Sequence, residues 1–515
     1  MSTPSRPARV LPAAPSLAQQ KQLARELLVA ARSGDSEALS RFRTHHPNHT
    51  GEGSAQVDPA RLSLHDAQLV LAREYGFPSW PRLKAHIDAA AAARRTYLLE
   101  RDLSYYDDRA RGLLTVLADG AASTLEQVRQ WHPRFADTDE GSLRHAAVEG
   151  RFTLEDARLV YAREHGFPNW AALASHLDRL KTGKVTEPFV ELLEAGKRAD
   201  WKRVTEILKS RPELIHARGT NGNSLLGLAC GILPCPGDRV SGPAAALLAG
   251  DRLGPVRFLL AAGADPNQPN DRGWTPLHQA GYRNDPEMAA LLLEAGARAE
   301  LEAHGVGGTP IAVALFWGHR EAADRLAEAG VVPRNLRVAA GLGRRDLVLE
   351  CFDEAGRLDP AAMAGRGFYR PHSGFPAWRP TDDPQEVLDE ALVWAAKSGR
   401  LEVMAPLLAR GARIDADRYR GTPLLWAASR GRVDTVAWLL EHGAEVNQRA
   451  TFGGPGHGQG VTALHLAAQH GHLATIELLV SRGADRTIRD ELYHGTPSGW
   501  AEHSGFEIPM LKSEA

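Results

Sequence analysis

The sequence predicts an all-α protein built as a solenoid of stacked helix-turn-helix units, and three observations predict it. The stretch Gly273 to Ala280, GWTPLHQA, returns in recognisable form along the chain, with its Thr-Pro pair repeated 34 residues later at Thr309-Pro310. A closing signal, Gly-Ala after a helix with a double apolar ending, repeats with it at Gly263-Ala264, Gly411-Ala412, Gly443-Ala444 and Gly483-Ala484. In the first third of the chain, residues 62–88 match residues 152–178 at a constant offset of 90.

The physical content of the opening motif is local. Thr275 suits a helix N-cap, where its hydroxyl accepts from an otherwise unpaired backbone N–H, and Pro276 suits the first helical position, where a missing N–H costs nothing. His278, three residues on, lies on the same side and can bond the threonine hydroxyl, so its role is structural. Leu277 and Ala280 point inward. A second helix carries Ala289, Leu292 and Leu293 as its apolar stripe and ends at Gly296, where a left-handed conformation suits glycine.

Further copies open at Thr422-Pro423, at Thr462 with His465, and at Thr496-Pro497, again 34 residues after Thr462. Weaker copies are Ser224-Leu225-Leu226 with Ala229, Asn335-Leu336 with Ala339, and Ala391-Leu392 with Ala395. In the last strong copy Gly499 takes the place of the histidine. A period near 33 is the ankyrin period, and these motifs resemble the ankyrin-repeat family over roughly residues 188 to 505. The resemblance implies stacked helical hairpins that leave an extended concave wall for a protein partner.

Residues 1–20, broken by prolines, read as a disordered lead-in without the apolar run of a signal peptide. Residues 21–92 and 93–182 are expected to be two copies of one helical module, 183–505 the repeat array and 506–515 a tail. The module copies share Asp66/Asp156, Ala72/Ala162, Glu74/Glu164, Gly76/Gly166, Phe77/Phe167, Trp80/Trp170 and Leu83/Leu173. Each reads as helix, glycine turn and helix, with Ser79 capping the second helix of the first copy and the aromatic pair locking the corner. Upstream of each lies another amphipathic pair, ending at His46-Pro47 and at His132-Pro133, and a third such hairpin spans Phe189 to Ile215. The module resembles one found in bacterial ankyrin-repeat proteins, where it carries no assigned activity.

A chain of 515 residues exceeds what one globular core usually supports, and the repeats favour an elongated array. With 61 Lys+Arg against 63 Asp+Glu, no bulk field draws the protein to nucleic acid or anionic lipid. Three cysteines, Cys230, Cys235 and Cys351, form no disulfide framework, which fits a reducing compartment and a cytoplasmic location. No apolar stretch approaches the roughly 20 residues that span a bilayer. A monomer is expected.

Insertions interrupt the array at 231–254, where a Pro- and Gly-rich stretch replaces a simple connection, at 363–383, and at 451–460. In solenoids such insertions map to loops on one face, often the binding face. The insertion at 363–383 holds the densest aromatic and arginine cluster of the chain, with Phe368, Tyr369, Arg370, Phe375 and Trp378 as candidate partner contacts. Its bland reading is a loop folded onto the repeats, with Arg366, Arg370 and Arg379 paired to Asp382, Asp383 or Glu386. A second candidate is the row at the ends of the inner helices: Tyr282 and Arg283, Phe316 and Trp317, Lys397 and Ser398, Ser429 and Arg430, Gln469 and His470. Stacking places these side by side. The bland reading of Phe316 and Trp317 is packing against the inserted loop.

Chemistry finds little support. His465, His470 and His472 follow the repeat pattern without Cys or Glu companions for zinc, and His45, His46 and His49 follow a helix end and are expected to face solvent. Cys230 and Cys235 lack a second pair. No phosphate-binding loop or nucleophile elbow is present, so no metal, cofactor or catalytic residue is expected. The alternative is DNA binding through the module, whose Arg82, Lys84 and His86 would suit a recognition helix, but the second copy offers Ala171, Ala172, Ala174 and Ser175 there. The expected function is a non-enzymatic scaffold that binds another protein.

Overall fold

Many helices begin where the sequence supplies a cap. Asp35, Ser63, Asp139, Thr153, Asn169 and Asp200 each accept a backbone N–H of the helix that follows, and in the array Thr275, Thr309, Asn335, Thr422 and Thr496 do the same. The computed structural model describes residues 17–49, 57–75, 77–84, 87, 96–98, 102–118, 122–136, 138–330, 332–369, 380–417, 421–451 and 459–512. Among these the single strand pair is Thr96–Tyr97 with Arg218–Gly219, two residues each, parallel. The fold is otherwise all-α.

The chain forms two units, divided at residues 225 and 226, with 197–199 grouped with the second. The division falls later than the expected start of the array at 183. The helices Pro188–Lys197 and Trp201–Ser210 precede the division because the chain after them pairs its Arg218–Gly219 strand with Thr96–Tyr97. Tyr97 stacks on Phe189 at 5.7 Å, and the Tyr106 and Thr220 hydroxyls lie 3.3 Å apart.

Within the first unit the two matching sequences build the same corner. Ser63 and Asp66 form a reciprocal capping box at the start of helix Leu64–Glu74, and Thr153 and Asp156 form another at Leu154–Glu164. His46 Nε2 donates to Asp66 at 3.1 Å and His132 Nε2 to Asp156 at 3.0 Å, while Nδ1 of each ring accepts a backbone N–H two residues on. His46 is therefore buried, contrary to the solvent-facing expectation, because the carboxylate that caps the helix also holds the ring. Glu74 and Glu164 are both buried, one bound by Arg41 at 2.6 Å and the other by Gln127 at 3.0 Å. Gly76 lies outside the described residues; its counterpart Gly166 has φ +83°. Of the expected lead-in, residues 1–16 lie outside the described residues, and helix Leu17–Arg32 already occupies the remainder.

The second unit stacks helix pairs. Inner helices Pro276–Tyr282, Pro310–Phe316, Leu336–Gly341, Pro384–Ser398, Pro423–Ser429, Ala463–Gln469 and Pro497–His503 each pack on the next. Outer helices Pro286–Glu294, Arg320–Ala327, Arg345–Glu350, Leu401–Ala409, Val433–Glu441 and Leu473–Ser481 return along the other side. One apolar cluster runs from Leu336 through Leu392, Leu424, Leu464 and Ile476 to Ile508 and Leu511. No single hairpin can bury its apolar stripe alone, so the continuous cluster holds the stack together at roughly 25 cal/mol per Å² of apolar area covered. The core runs past Gly505, where the sequence places the end of the array, because Ile508 and Leu511 fold back onto the last hairpins.

Two repeats depart from the sequence expectation. The helix of the weak copy at Ala391 begins at Pro384, seven residues earlier, because Asp383 caps it and Pro384 starts it. The insertion at 231–254 is no bare connection: it contains helix Gly242–Ala249, and Arg252 at its end reaches Asp285 with bonds of 2.7 and 2.8 Å.

Candidate protein-binding surface

The candidate surface lies where inner helices end. They end in a residue near the αR region followed by one with positive φ, Asn284 in the first and a glycine at Gly318, Gly431 and Gly471, and the next residue turns into the outer helix. That residue reaches back to the preceding stack. Nδ1 of His319 donates to the Gly281 carbonyl at 3.2 Å, Arg400 to Gly341 at 3.2 Å, Arg432 to Gly318 at 3.1 Å, and Nε2 of His472 to Ser429 at 3.2 Å. These carbonyls lie at the partly negative C-terminal ends of inner helices, so a donor or cation there stabilises the stack.

Above the turns the side chains form a continuous line. Trp274 meets Tyr282 at 6.0 Å between ring centroids, Tyr282 meets Trp317 at 5.5 Å, Trp317 meets Phe316 at 5.2 Å, and Phe316 meets Phe368 at 5.3 Å, all near edge-to-face. Lys397 extends the line: its ammonium donates to the Phe316 carbonyl at 2.7 Å and lies 3.6 Å from the centroid of Trp426. Tyr282 is 41% exposed, and Phe316, Trp317 and Trp426 are partly exposed.

Lys397 and Arg430 bring positive charge beside His319. Burial, followed by the nearby Arg430 charge, holds the His319 imidazole down to about 4. Burial and the neighbouring Arg432 lower the Arg430 guanidinium to about 10.

A family model described as ankyrin repeats (3 copies) matches residues 244–335 and 380–450, and another, ankyrin repeats (many copies), matches 424–480. The second unit is an ankyrin-repeat solenoid. A curated relative, the Ankyrin repeat and KH domain-containing protein mask-1 of Caenorhabditis elegans, is 28% identical over 237 residues, which is 45% of this chain and 8% of that protein. The chain thus spans a small fraction of that relative's length.

In the ankyrin array the predicted motif residues stand at the inner-helix starts. Thr275 and His278 form a capping box, Nδ1 of His278 accepting from the Thr275 hydroxyl at 2.7 Å and from its N–H at 3.1 Å. Thr462 and His465 repeat it at 2.9 and 3.1 Å. Pro276, Pro310, Pro423 and Pro497 each occupy the first helical turn behind their threonines. At Thr309, Thr422 and Thr496 the cap remains but the histidine does not.

Of the predicted contact residues, the ankyrin stack brings Tyr282, Phe316 and Trp317 together. Arg283 is drawn away to the insertion at 231–254, where it binds Asp238 at 2.7 Å and the Leu233 carbonyl at 3.2 Å. Arg430 is partly exposed, and His470 is exposed with its ring 5.8 Å from that of His472. Tyr369 closes the turn Gly367–Tyr369; Arg370, Phe375 and Trp378 lie outside the described residues, as do residues 452–458 of the third insertion. The start of the second insertion is anchored as its bland reading expects. Arg366 bonds Glu386, and also Glu390 at 2.8 Å, while Arg337 donates to the Gly365 carbonyl at 2.9 Å and lies 4.7 Å over Trp394.

The sequence reading missed Trp274 and Trp426. Aligning the repeats signals the latter, since the fourth residue after the opening threonine is Trp426 in one copy and Trp500 in another. Among the described residues no group of three His, Cys, Asp or Glu side chains could hold a metal, and no helix is long and apolar enough to cross a membrane. Cys230 and Cys235 are buried, beside Met288 and Asp285.

Proposed function

We propose that the protein is a non-enzymatic scaffold that binds another protein on the face formed by its inner-helix ends, the concave wall of the ankyrin array. The observation that supports this reading most is the unbroken line from Trp274 through Tyr282, Trp317 and Phe316 to Lys397 and Trp426, which crosses several repeats with its rings partly exposed. Tyrosine, tryptophan and arginine dominate interface energetics because they bury large area and keep a polar handle. The site on this reading comprises Tyr282, Arg283, Phe316, Trp317, Arg430 and His470, joined by Tyr369, Arg370, Phe375 and Trp378 of the second insertion.

In the same reading residues 21–92 and 93–182 are two copies of a module of bacterial type that precedes the array, and the protein is cytoplasmic and monomeric. The shared His-Asp-Ser/Thr corner supports the duplication.

Affinity capture with quantitative mass spectrometry tests the function. The intact chain, a Tyr282→Ala/Trp317→Ala variant and a Tyr369→Ala/Trp378→Ala variant are compared at matched thermal stability. Loss of a defined partner from the first variant is expected, and loss from the second as well brings the insertion into the surface. Identical partners for all three overturn the reading.

A further inference from the structure

The side-chain donors around the inner-helix ends divide into two kinds. Lys397, Arg400, Arg432, His319 and His472 each end on a backbone carbonyl. Arg430, at the end of helix Pro423–Ser429 and packed beside Gly318, has none: its Nε is buried without an acceptor and its guanidinium makes no hydrogen bond or ion pair among the described residues. The carboxylates of helix Arg320–Ala327, which follows Gly318, are engaged elsewhere, Glu321 by Asn284 at 2.8 Å and Asp324 by Arg400. A half-buried guanidinium without an anion is costly unless something supplies one.

The same position one stack away shows what it accepts. Arg283 and Arg430 are each the eighth residue after their opening threonines, Thr275 and Thr422, and each terminates its inner helix. Arg283 also has a buried, unpaired Nε, yet its Nη2 binds the Asp238 carboxylate of a segment inserted elsewhere in the chain. Arg283 has its acid in cis, and Arg430 has no counterpart.

Resting on the protein-binding reading above, we propose that Arg430 receives a carboxylate side chain from an acidic segment of the partner protein, laid along the ring line between Trp317 and Trp426. A planar guanidinium fork matches a carboxylate in geometry as well as charge. The neighbouring cations are already committed to helix-end carbonyls, so the site offers one unpaired fork. A nucleic-acid backbone needs a run of such charges.

The test uses the intact chain and a displayed library of random peptides. Selected peptides are expected to share an Asp or Glu at a fixed distance from an apolar residue, and Trp317→Ala is expected to abolish their capture. Changing that Glu to Gln in a synthetic peptide is expected to weaken binding to the intact chain at least about tenfold. In Arg430→Met the Glu and Gln peptides are expected to bind alike, with an unfolding midpoint no lower than that of the parent. Should Arg430→Met fail to fold, the Glu and Gln peptides compared on the unaltered protein still decide. Peptides that need Trp317 but show no preference for the acid overturn this inference and leave the scaffold reading standing. Selected peptides indifferent to Trp317 overturn both. Arg430-dependent binding of a DNA duplex in place of acidic peptides also overturns it.

Discussion

Nε2 of His278 donates to the carbonyl of Gly308 at 2.9 Å, joining one repeat to the next across 30 residues of chain. Because that nitrogen must carry the proton, Nδ1 is left to accept from Thr275, and one neutral ring closes a helix cap and a repeat interface together. His465 spans the same 30 residues to Gly495, at 3.2 Å. The histidine of the opening motif therefore acts between repeats as well as within one.

Replacing that ring should be costly. His278→Ala removes the cap bond and the bond between repeats, leaves the Gly308 carbonyl to the Ala303 N–H alone and opens a cavity where the buried ring lay, and is expected to cost roughly 2–4 kcal/mol. Urea unfolding of the full chain measures it. Gly499 occupies the histidine place in the last repeat, so Gly499→Ala is expected to change stability far less.

Acid should loosen these same joints. Burial holds His278 and His465 at about 4 in the folded protein, against 6.5 for a free imidazole. A folded pKa below the unfolded one makes their contribution complete above pH 6.5 and progressively lost as pH falls toward 4, by on the order of 3 kcal/mol per histidine. Amide hydrogen exchange in helices Pro276–Tyr282 and Ala463–Gln469 is expected to accelerate between pH 7 and pH 5, after correction for the intrinsic rate. Unchanged protection would refute the assignment of neutral rings.

Asp285 ties the first insertion to the array. It is buried, caps helix Pro286–Glu294 and takes two bonds of Arg252, itself buried. Asp285→Ala leaves the arginine buried and only partly compensated by Glu287, and should cost about 3–5 kcal/mol. The paired change Arg252→Met/Asp285→Ala is expected to recover part of that loss. Thermal denaturation of the three proteins checks the order.

Arg366 plays the corresponding part for the second insertion, with Glu386 and Glu390 buried around it. Arg366→Met should raise chymotryptic cleavage within residues 363–383 severalfold while leaving the helix content unchanged, because the anchor is lost and the stack is not. Cleavage at the parental rate would show that Arg337 alone holds the segment.

The order of repeats, their capped starts, the paired helices and the rows of residues at the inner-helix ends were determined by the sequence, because each depends on interactions within three or four residues: a cap, a proline, a left-handed glycine. The matching corners of the first third were legible for the same reason. What the tertiary structure decided is how distant pieces meet. Nothing near Arg283 in the chain announces Asp238 forty-five residues before it, and nothing near His46 announces Asp66. The line from Trp274 to Trp426 and the unpaired state of Arg430 exist only once the helix pairs are stacked, since stacking sets which rings touch and which cations find a carbonyl. Local chemistry writes the units, and burial of their shared apolar faces fixes their register and with it the row of side chains at the inner-helix ends.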